Sequence, residues 1–231
     1  GGMGTVEERT AIKTVQAAID QGMTLIDTAE GYKESEARIG KALQEGYRER
    51  CFLATKVSVD FSPDGIRAAM EQSLRALGVD YVDLYQVHRY PEEYDVEKTM
   101  ETMQRLQEEG KTRYIGVSNF RADHMRTAAK TAPFVSNQVN YNMFLRTIEN
   151  ELVPHARESG TGIMVHSTLA KGLLAGKYGR DHSFPPDDER SQFAQYQGNT
   201  MQQYLDAVDD LKQIAADKGI GMVELAVAWT L

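Results

Sequence analysis

Short runs of β-branched and other apolar residues alternate along this chain with longer segments whose apolar residues recur at helical spacing. Six such runs predict strands: residues 24–27, 52–57, 81–87, 114–117, 135–139 and 162–165. Helices are predicted between the strands; Ser62 and Pro63 open one of them and Gly78 closes it. Because alternating strands and helices form a parallel sheet, the chain is predicted to be an α/β protein with either an open sheet or a closed barrel.

Polar residues at the ends of the predicted strands favour the barrel. An open sheet concentrates function at one switch point, whereas every strand of a barrel contributes to one mouth. Polar residues follow nearly every run: Asp27, Lys56, His88, Ser118, Asn119, Gln138, His166 and Ser167. No Gly-x-Gly-x-x-Gly turn follows a predicted strand, which argues against the open dinucleotide-binding fold. We therefore predict an α/β fold of the (β/α)8 TIM barrel type.

The strand count predicts that this barrel is incomplete. A (β/α)8 barrel has eight strands, and the pattern supplies six. The sequence begins in a predicted helix at 5–21, with Thr5 as its expected N-cap, and ends inside another at 222–231. We expect one barrel domain over residues 1–231, truncated at both ends and lacking the first and last strands.

A polar segment at residues 179–198 has no clear helical or strand pattern. It includes the sequence Phe184-Pro185-Pro186-Asp187-Asp188. It is too long for an ordinary connection between a strand and a helix, so it is predicted to be either functional or mobile.

Charge and composition narrow the classes of partner. The formal net charge is −8 and no block of basic residues stands out, which argues against non-specific nucleic-acid binding. No apolar stretch approaches the roughly 20 residues needed to cross a membrane, and residues 1–4 do not resemble a signal peptide. The single cysteine, Cys51, has no partner within the chain. We expect a cytoplasmic protein that acts on a small molecule.

Four of the strand-end residues have the functional groups needed to reduce a carbonyl. A carbonyl that accepts hydride becomes an alkoxide, so a site must supply a proton or a positive field at its oxygen. The Tyr32 hydroxyl can supply the proton, and a nearby Lys56 ammonium is expected to lower its pKa from about 10 by stabilising phenolate. Asp27 is expected to hold Lys56 charged, and His88 to orient the substrate oxygen.

Each of these residues has a simpler interpretation when it is considered alone. Asp27 could cap the helix predicted at 34–44, Tyr32 could be a surface aromatic residue, and His88 could be a hydrogen-bonded core histidine. Lys56 is harder to explain this way, because a buried lysine is rare without a partner. All four at neighbouring strand ends are difficult to explain by packing alone.

Several segments carrying these residues resemble the aldo-keto reductase family. The similar segments, in order, are Leu25-Ile26-Asp27-Thr28-Ala29-Glu30-Gly31-Tyr32, Ala54-Thr55-Lys56, Val87-His88, Ile115-Gly116-Val117-Ser118-Asn119-Phe120, Asn137-Gln138-Val139-Asn140-Tyr141-Asn142 and Gly172-Leu173-Leu174-Ala175-Gly176-Lys177-Tyr178. The resemblance covers nearly the whole chain. It implies a (β/α)8 barrel, NADP(H) as the cofactor, and reduction of aldehydes or ketones. It also implies that Asp27, Tyr32, Lys56 and His88 form the catalytic tetrad, with Tyr32 as the general acid.

The same resemblance implies a set of cofactor-binding residues. Ser118, Asn119 and Gln138 correspond to the groups that hydrogen-bond the nicotinamide carboxamide, which needs both donors and acceptors. The segment 167–177 resembles the loop that folds over the pyrophosphate; its implied cofactor residues are Ser167, Leu169, Gly172 and Lys177. His166 stands where the family usually has an aromatic residue that stacks on the nicotinamide ring.

Two other functional classes fit parts of the pattern. Potassium-channel β-subunits resemble this family and keep the cofactor and the tetrad, so a regulatory cofactor-binding protein is the alternative. A metal-dependent hydrolase could use Asp27, His88 and His166, but no His-x-His or His-Glu-x-x-His spacing supports a metal site.

Overall fold

Six strands alternate with helices in the computed structural model, which describes residues 6–231. The strands are β1 (Leu25–Asp27), β2 (Phe52–Val57), β3 (Val82–Val87), β4 (Thr112–Ser118), β5 (Ser136–Asn140) and β6 (Gly162–His166). The helices are α1 (Glu8–Asp20), α2 (Ser35–Ala42), α3 (Pro63–Leu77), α4 (Val96–Glu108), α5 (Ala122–Ala128), α6 (Leu152–Ser159), α7 (Gly198–Asp217) and α8 (Met222–Trp229). Every predicted strand is present, with bounds that differ from the prediction by at most two residues.

The strands form one sheet in the order in which they occur along the chain, β1-β2-β3-β4-β5-β6. The pairings from β1 to β5 are parallel, and their register brings Asp27 opposite Ala54, Lys56 opposite Gln86, and Ser118 opposite Gln138. Because parallel strands end on the same side of a sheet, this register brings the polar strand-end residues into adjacent positions.

Helix ends follow the local signals in the sequence. The Ser62 side chain accepts a hydrogen bond from the Gly65 amide at the start of α3, and Gly78 ends that helix at φ 66°. The Asp95 side chain accepts from the amides of Glu97 and Lys98 at the start of α4. The expected cap of α1, Thr5, lies outside the described residues.

The contacts divide the chain into two compact units. The larger unit comprises Val6–Val139 and Asn150–Met164, and the described part of the smaller unit comprises Asn140–Glu149 and Val165–Leu231. The prediction of one domain over residues 1–231 stays a prediction. Each helix within residues 6–231 is too short or too polar to span a lipid bilayer.

Each unit has its own apolar core. In the larger unit, side chains of the central strands pack with those of α3 and α4, and the fully buried members include Leu53, Val57, Ile66, Met70, Val87, Met100 and Met103. In the smaller unit, the buried cluster contains Leu173, Phe184, Tyr196, Met201 and Leu205. Phe184 and Tyr196 belong to the polar segment at 179–198, so that segment is anchored within the smaller unit by its aromatic residues.

Candidate active site

A buried ion pair lies at the centre of the candidate site in the larger unit. The Lys56 side chain is fully buried, and its Nζ donates to Asp27 Oδ2 over 2.5 Å and to the Thr28 carbonyl oxygen over 2.7 Å. Asp27 Oδ1 accepts from Gln86 Nε2 over 3.2 Å. Asp27 therefore fixes the lysine rather than capping α2, whose N-cap residue is Glu34.

Tyr32 lies beside this ion pair and contacts His88. The Lys56 ammonium lies 5.2 Å from the centre of the Tyr32 ring. Tyr32 Oη and His88 Nε2 are 3.3 Å apart, and the two rings meet edge to face. Tyr32 as a whole residue is 40% exposed. The structure thus brings together all four residues of the predicted tetrad.

The loop that carries Tyr32 is held on β2 by the backbone. The Thr28 amide donates to the Ala54 carbonyl, and the Glu30 amide donates to the Lys56 carbonyl. The pairing between β1 and β2 therefore continues past Asp27. This explains how a tyrosine five residues after Asp27 returns to lie beside Lys56.

A serine that the sequence interpretation did not identify fixes the other side of the histidine. Ser58 Oγ lies 2.7 Å from His88 Nδ1, and the Gly31 amide donates to the same oxygen over 3.3 Å. The Ser58 amide donates to Glu30 Oε2 over 2.8 Å. Ser58 therefore connects the loop of Tyr32 to the end of β3.

The pKa of Tyr32 moves opposite to the expected direction. Burial, and then the negative charge of Asp27, raise the pKa of the phenol above its ordinary value. Burial also lowers the pKa of the Lys56 ammonium, while Asp27 opposes that decrease. The expectation that Lys56 lowers the pKa of Tyr32 is wrong, because burial of the phenol and then the Asp27 carboxylate both raise that pKa. Tyr32 therefore keeps its proton at neutral pH, as a proton donor requires.

The predicted carboxamide-binding residues lie where β4 and β5 end. Ser118 is buried; its hydroxyl donates to the Gln138 carbonyl over 2.9 Å. Asn119 Nδ2 donates to the His88 carbonyl over 3.0 Å and to Ser118 Oγ over 3.1 Å. The Asn119 Nδ2 group is therefore engaged in hydrogen bonds within the chain. It does not cap the following helix, because the N-cap of α5 is Arg121.

Asn119 is also held in an uncommon backbone conformation. Its φ is 57°, in the left-handed region that asparagine tolerates better than most residues. Its amide donates to the Gln138 carbonyl over 2.8 Å. This hydrogen bond helps to hold the strained conformation. Backbone strain of this kind is common at functional sites.

The remaining predicted cofactor residues belong to the smaller unit. His166 Nδ1 lies 3.1 Å from Ser167 Oγ, and the Tyr141 amide donates to the His166 carbonyl. Leu169 accepts backbone hydrogen bonds from Gly172 and Leu174, which closes a tight turn. Lys177 is exposed, and its ammonium lies 5.4 Å from the centre of the Tyr178 ring.

The turn after β6 contains several residues with positive φ. Ser167, Ala170, Lys171 and Gly172 all have positive φ. A Cβ at Gly172 would lie 2.9 Å from the Tyr178 hydroxyl, so glycine is required there for space as well as for its φ of 104°. Strain of this kind in a surface turn is a feature of ligand-binding loops.

Arg190 connects this turn to the polar segment. Its Nη1 donates to the Lys171 carbonyl over 3.0 Å and to Tyr178 Oη over 2.8 Å. Its Nη2 pairs with Asp188 over 2.6 Å, and its guanidinium lies 4.4 Å from the centre of the Phe184 ring. The guanidinium beside Asp188 lowers the pKa of that carboxyl to about 2. The segment is thus ordered against the turn in the smaller unit.

Two site residues could have been found from strand periodicity. Side chains two residues apart point to the same face of a strand. Ser58 is two residues after Lys56, and Gln86 is two residues before His88. Gln86 is also a polar residue inside the apolar β3, which is a signal for a buried polar contact.

A metal site has no support in the described part of the chain. Among residues 6–231, no group of three or more His, Cys, Asp and Glu side chains is arranged to hold a metal ion. The hydrolase alternative built on Asp27, His88 and His166 therefore lacks a donor cluster in these residues.

Comparison with known protein sequences identifies one family. The aldo/keto reductase family model matches residues 1–231. An aldo-keto reductase of Bacillus subtilis, YhdN, is 39% identical over 241 residues, covering 99% of this chain and 73% of the relative. A probable aldo-keto reductase of Glycine max is 31% identical over 238 residues, covering 98% of this chain and 68% of that protein.

Comparison with solved structures identifies the same family. A glycerol dehydrogenase from Gluconobacter oxydans superposes with a TM-score of 0.91 at 33% identity, over 99% of this chain and 75% of the other. An aldo/keto reductase from Klebsiella pneumoniae, solved in complex with NADP and acetate, superposes with a TM-score of 0.76 at 30% identity, over 99% of this chain and 73% of the other. These matches confirm the predicted fold class, an incomplete (β/α)8 barrel with six parallel strands.

Proposed function

We propose a function from one premise: this chain belongs to the aldo/keto reductase family. Members of this family are oxidoreductases, and a neighbour from Klebsiella pneumoniae was crystallised with NADP. We propose that the chain is an NADP(H)-dependent reductase that converts an aldehyde or ketone to an alcohol. Tyr32 is its general acid.

The continuous contact from Asp27 through Lys56 and Tyr32 to His88 is the observation that carries this proposal. Asp27 is within ion-pair distance of Lys56, Lys56 lies against the Tyr32 ring, and Tyr32 contacts His88. An ordinary structural ion pair requires neither a partly exposed tyrosine nor a histidine nitrogen beside it. The arrangement presents two polar groups, Tyr32 Oη and His88 Nε2, to one carbonyl oxygen.

Each residue has a distinct task in the proposed reaction. Reduced nicotinamide, when bound, supplies the hydride. His88 Nε2–H hydrogen-bonds the carbonyl oxygen and fixes its angle, while Tyr32 Oη donates its proton to that oxygen as negative charge develops. The Lys56 ammonium then stabilises the resulting phenolate, and Asp27 keeps Lys56 in place.

The raised pKa of Tyr32 is consistent with this order of events. The phenol is protonated before reaction, when Asp27 and burial disfavour its negative charge. Lys56 becomes important when the phenolate forms, because its ammonium lies 5.2 Å from the centre of that ring. The tetrad thus matches a donor that must start protonated and end ionised.

The chemistry of the predicted cofactor residues fits NADP(H). At the ends of β4 and β5, Ser118, Asn119 and Gln138 carry the hydroxyl and amide groups that pair with a carboxamide. The Ser118 hydroxyl and the Asn119 Nδ2 group already donate within the chain, so a bound carboxamide would exchange for those bonds. In the smaller unit, the segment 167–177 contains the exposed Lys177 and no acidic residue, which suits an anionic pyrophosphate, while Lys171 pairs with Glu189. We propose that Ser167, Leu169 and Gly172 contact that pyrophosphate and that His166 lies against the nicotinamide ring.

Composition supports a location for this activity. The chain has one cysteine, Cys51, and burial raises the pKa of its thiol. A chain that cannot form an internal disulfide is typical of a reducing compartment, so we propose that the enzyme is cytoplasmic.

NADPH oxidation against a panel of aldehydes and ketones tests the proposed function. We expect the protein to oxidise NADPH only when a carbonyl compound is present and to form the alcohol in equal amount. Asp27→Asn and Lys56→Met should lose turnover, while Tyr47→Phe, which alters a surface hydroxyl bonded to Asp20, should retain it. Tight NADPH binding with no turnover on any carbonyl would instead support the regulatory alternative.

A further inference from the structure

The hydroxyl of Ser58 occupies the position that decides which nitrogen of His88 carries a proton. Ser58 Oγ is 2.7 Å from His88 Nδ1, and Tyr32 Oη is 3.3 Å from His88 Nε2. We infer that Ser58 is a positioning residue for the proposed reduction: its hydroxyl donates to Nδ1 and keeps the histidine proton on Nε2. This inference rests on the proposed function for its catalytic consequence, but its structural claim can be measured independently.

The loop that carries Tyr32 makes two hydrogen bonds that fix Ser58. Its amide donates to Glu30 Oε2 over 2.8 Å, and its Oγ accepts from the Gly31 amide over 3.3 Å. The Gly31 amide occupies one of the two acceptor positions of the serine oxygen, and the serine proton is not used in that bond. Ser58 is therefore oriented by the same loop that carries Tyr32.

Gly31 permits this close approach. A Cβ at position 31 would lie 3.1 Å from Ser58 Cβ and 3.2 Å from Ser58 Oγ. These distances are shorter than ordinary van der Waals contact, so a side chain at Gly31 would push the serine away. The glycine in the Tyr32 loop thus serves the Ser58–His88 contact.

The Ser58–His88 distance distinguishes the two ways of arranging the protons. In one arrangement Ser58 donates to Nδ1 and Nε2–H points at Tyr32; in the other Tyr32 donates to Nε2 and Nδ1–H points at Ser58. The Ser58 contact of 2.7 Å is typical of a hydroxyl donor and shorter than the usual N–H···O distance of about 2.9 Å. The Tyr32 contact of 3.3 Å is too long for a strong bond from either the phenol or Nε2–H. The Ser58 distance is therefore the one that favours donation by the serine.

The choice of tautomer matters for the reaction. With the proton on Nε2, His88 donates to a carbonyl oxygen and leaves the Tyr32 proton available for transfer. With the proton on Nδ1, Nε2 becomes an acceptor that competes with the substrate for that same phenol proton. Ser58 thus keeps the acid available without touching the substrate.

Nitrogen NMR of ¹⁵N-histidine-labelled protein tests the tautomer directly. The chain has five histidines, so the His88 signals are assigned by their loss in His88→Asn. At a pH of about 8, above the ordinary histidine pKa, we expect wild-type His88 to be protonated on Nε2. In Ser58→Ala the share protonated on Nδ1 should rise, Ser58→Thr should restore the wild-type signals, and Ser159→Ala should leave them unchanged.

Kinetics with NADPH and 4-nitrobenzaldehyde test the catalytic consequence. A net hydrogen bond is worth about 0.5–1.5 kcal/mol, so Ser58→Ala should lower kcat by up to about tenfold. The Kd for NADPH should stay within about twofold, because Ser58 contacts His88 rather than any residue proposed to hold the cofactor. Ser58→Thr should recover most of kcat, which a purely structural role of the serine side chain would not require.

Failure of the inference and failure of the proposed function give different results. Wild-type His88 protonated on Nδ1, or a tautomer that is unchanged in Ser58→Ala, would overturn the role of Ser58 whatever the activity. Because the wild-type measurement needs no variant, it is decisive even if Ser58→Ala does not fold. A tautomer that changes as expected in a protein with no carbonyl reductase activity would support the Ser58 contact and refute the proposed function.

Discussion

Asp27 and Lys56 form an ion pair in which only one partner is fully buried. The lysine side chain is inaccessible, while the aspartate side chain retains 27% exposure, and the two are joined over 2.5 Å. This asymmetry makes the lysine the partner that depends on the contact, because its desolvation disfavours its charge and Asp27 compensates.

Removing the lysine alone should therefore destabilise the protein. Lys56→Met leaves the Asp27 carboxylate without its cation. Breaking a fully buried ion pair lowers the free energy of unfolding by roughly 3–5 kcal/mol. The decrease should be smaller here, because Asp27 is partly hydrated. The double variant Asp27→Leu/Lys56→Met should regain most of that stability while remaining inactive. Urea denaturation measures both free energies of unfolding. A double variant less stable than Lys56→Met would show that the pair is not coupled as described.

The raised pKa of Tyr32 predicts a change in alkaline stability. Above its ordinary pKa near 10, the unfolded chain loses the phenol proton while the folded chain retains it. The unfolded state then binds fewer protons, so the contribution of Tyr32 to stability decreases as pH rises. Tyr32→Phe removes this contribution, and the variant should gain stability relative to wild type as pH increases beyond about 10. Urea denaturation across that range should show diverging curves; parallel curves would mean that the pKa of Tyr32 is not raised.

Arg190 is predicted to keep the turn after β6, in the smaller unit, well ordered. Arg190→Lys keeps the charge but loses the planar fork that reaches Asp188, Tyr178 and the Lys171 carbonyl. Hydrogen bonds to charged groups are worth about 1.5–3 kcal/mol, so amide exchange in 170–178 and 184–196 should speed up by about tenfold or more. Arg180→Lys is the matched control, since its side chain is 52% exposed and pairs with surface carboxylates. Equal amide-exchange rates in the Arg190→Lys and Arg180→Lys variants would refute this role of Arg190.

The sequence predicts the elements of this fold better than it predicts the contacts between them. Ser62, Pro63 and Gly78 carry local signals, so the bounds of α3 follow directly from the chain. The pairing of Lys56 with Asp27 follows from strand ends that converge. The role of Ser58 does not, because its contact with His88 depends on how close Gly31 allows two loops to approach.

The direction of the Tyr32 pKa also depends on geometry that the sequence lacks. The pairing of a lysine with a tyrosine in sequence predicts a lowered phenol pKa. The structure adds the burial of the phenol and the nearby Asp27 carboxylate, both of which raise this pKa. Likewise, the segment 179–198 has an ambiguous pattern in sequence, and only its packing shows that Phe184 and Tyr196 are anchored in the smaller unit.

The central claim is that Tyr32 donates the proton in carbonyl reduction, and one substitution tests it most directly. Tyr32→Phe removes only the hydroxyl, so turnover of 4-nitrobenzaldehyde with NADPH should decrease by about 100- to 10,000-fold. The Kd for NADPH, measured by fluorescence titration of the same samples, should stay close to the wild-type value, and Tyr47→Phe should behave as wild type in both assays. A Tyr32→Phe protein that binds NADPH normally and retains near-wild-type turnover would contradict the account.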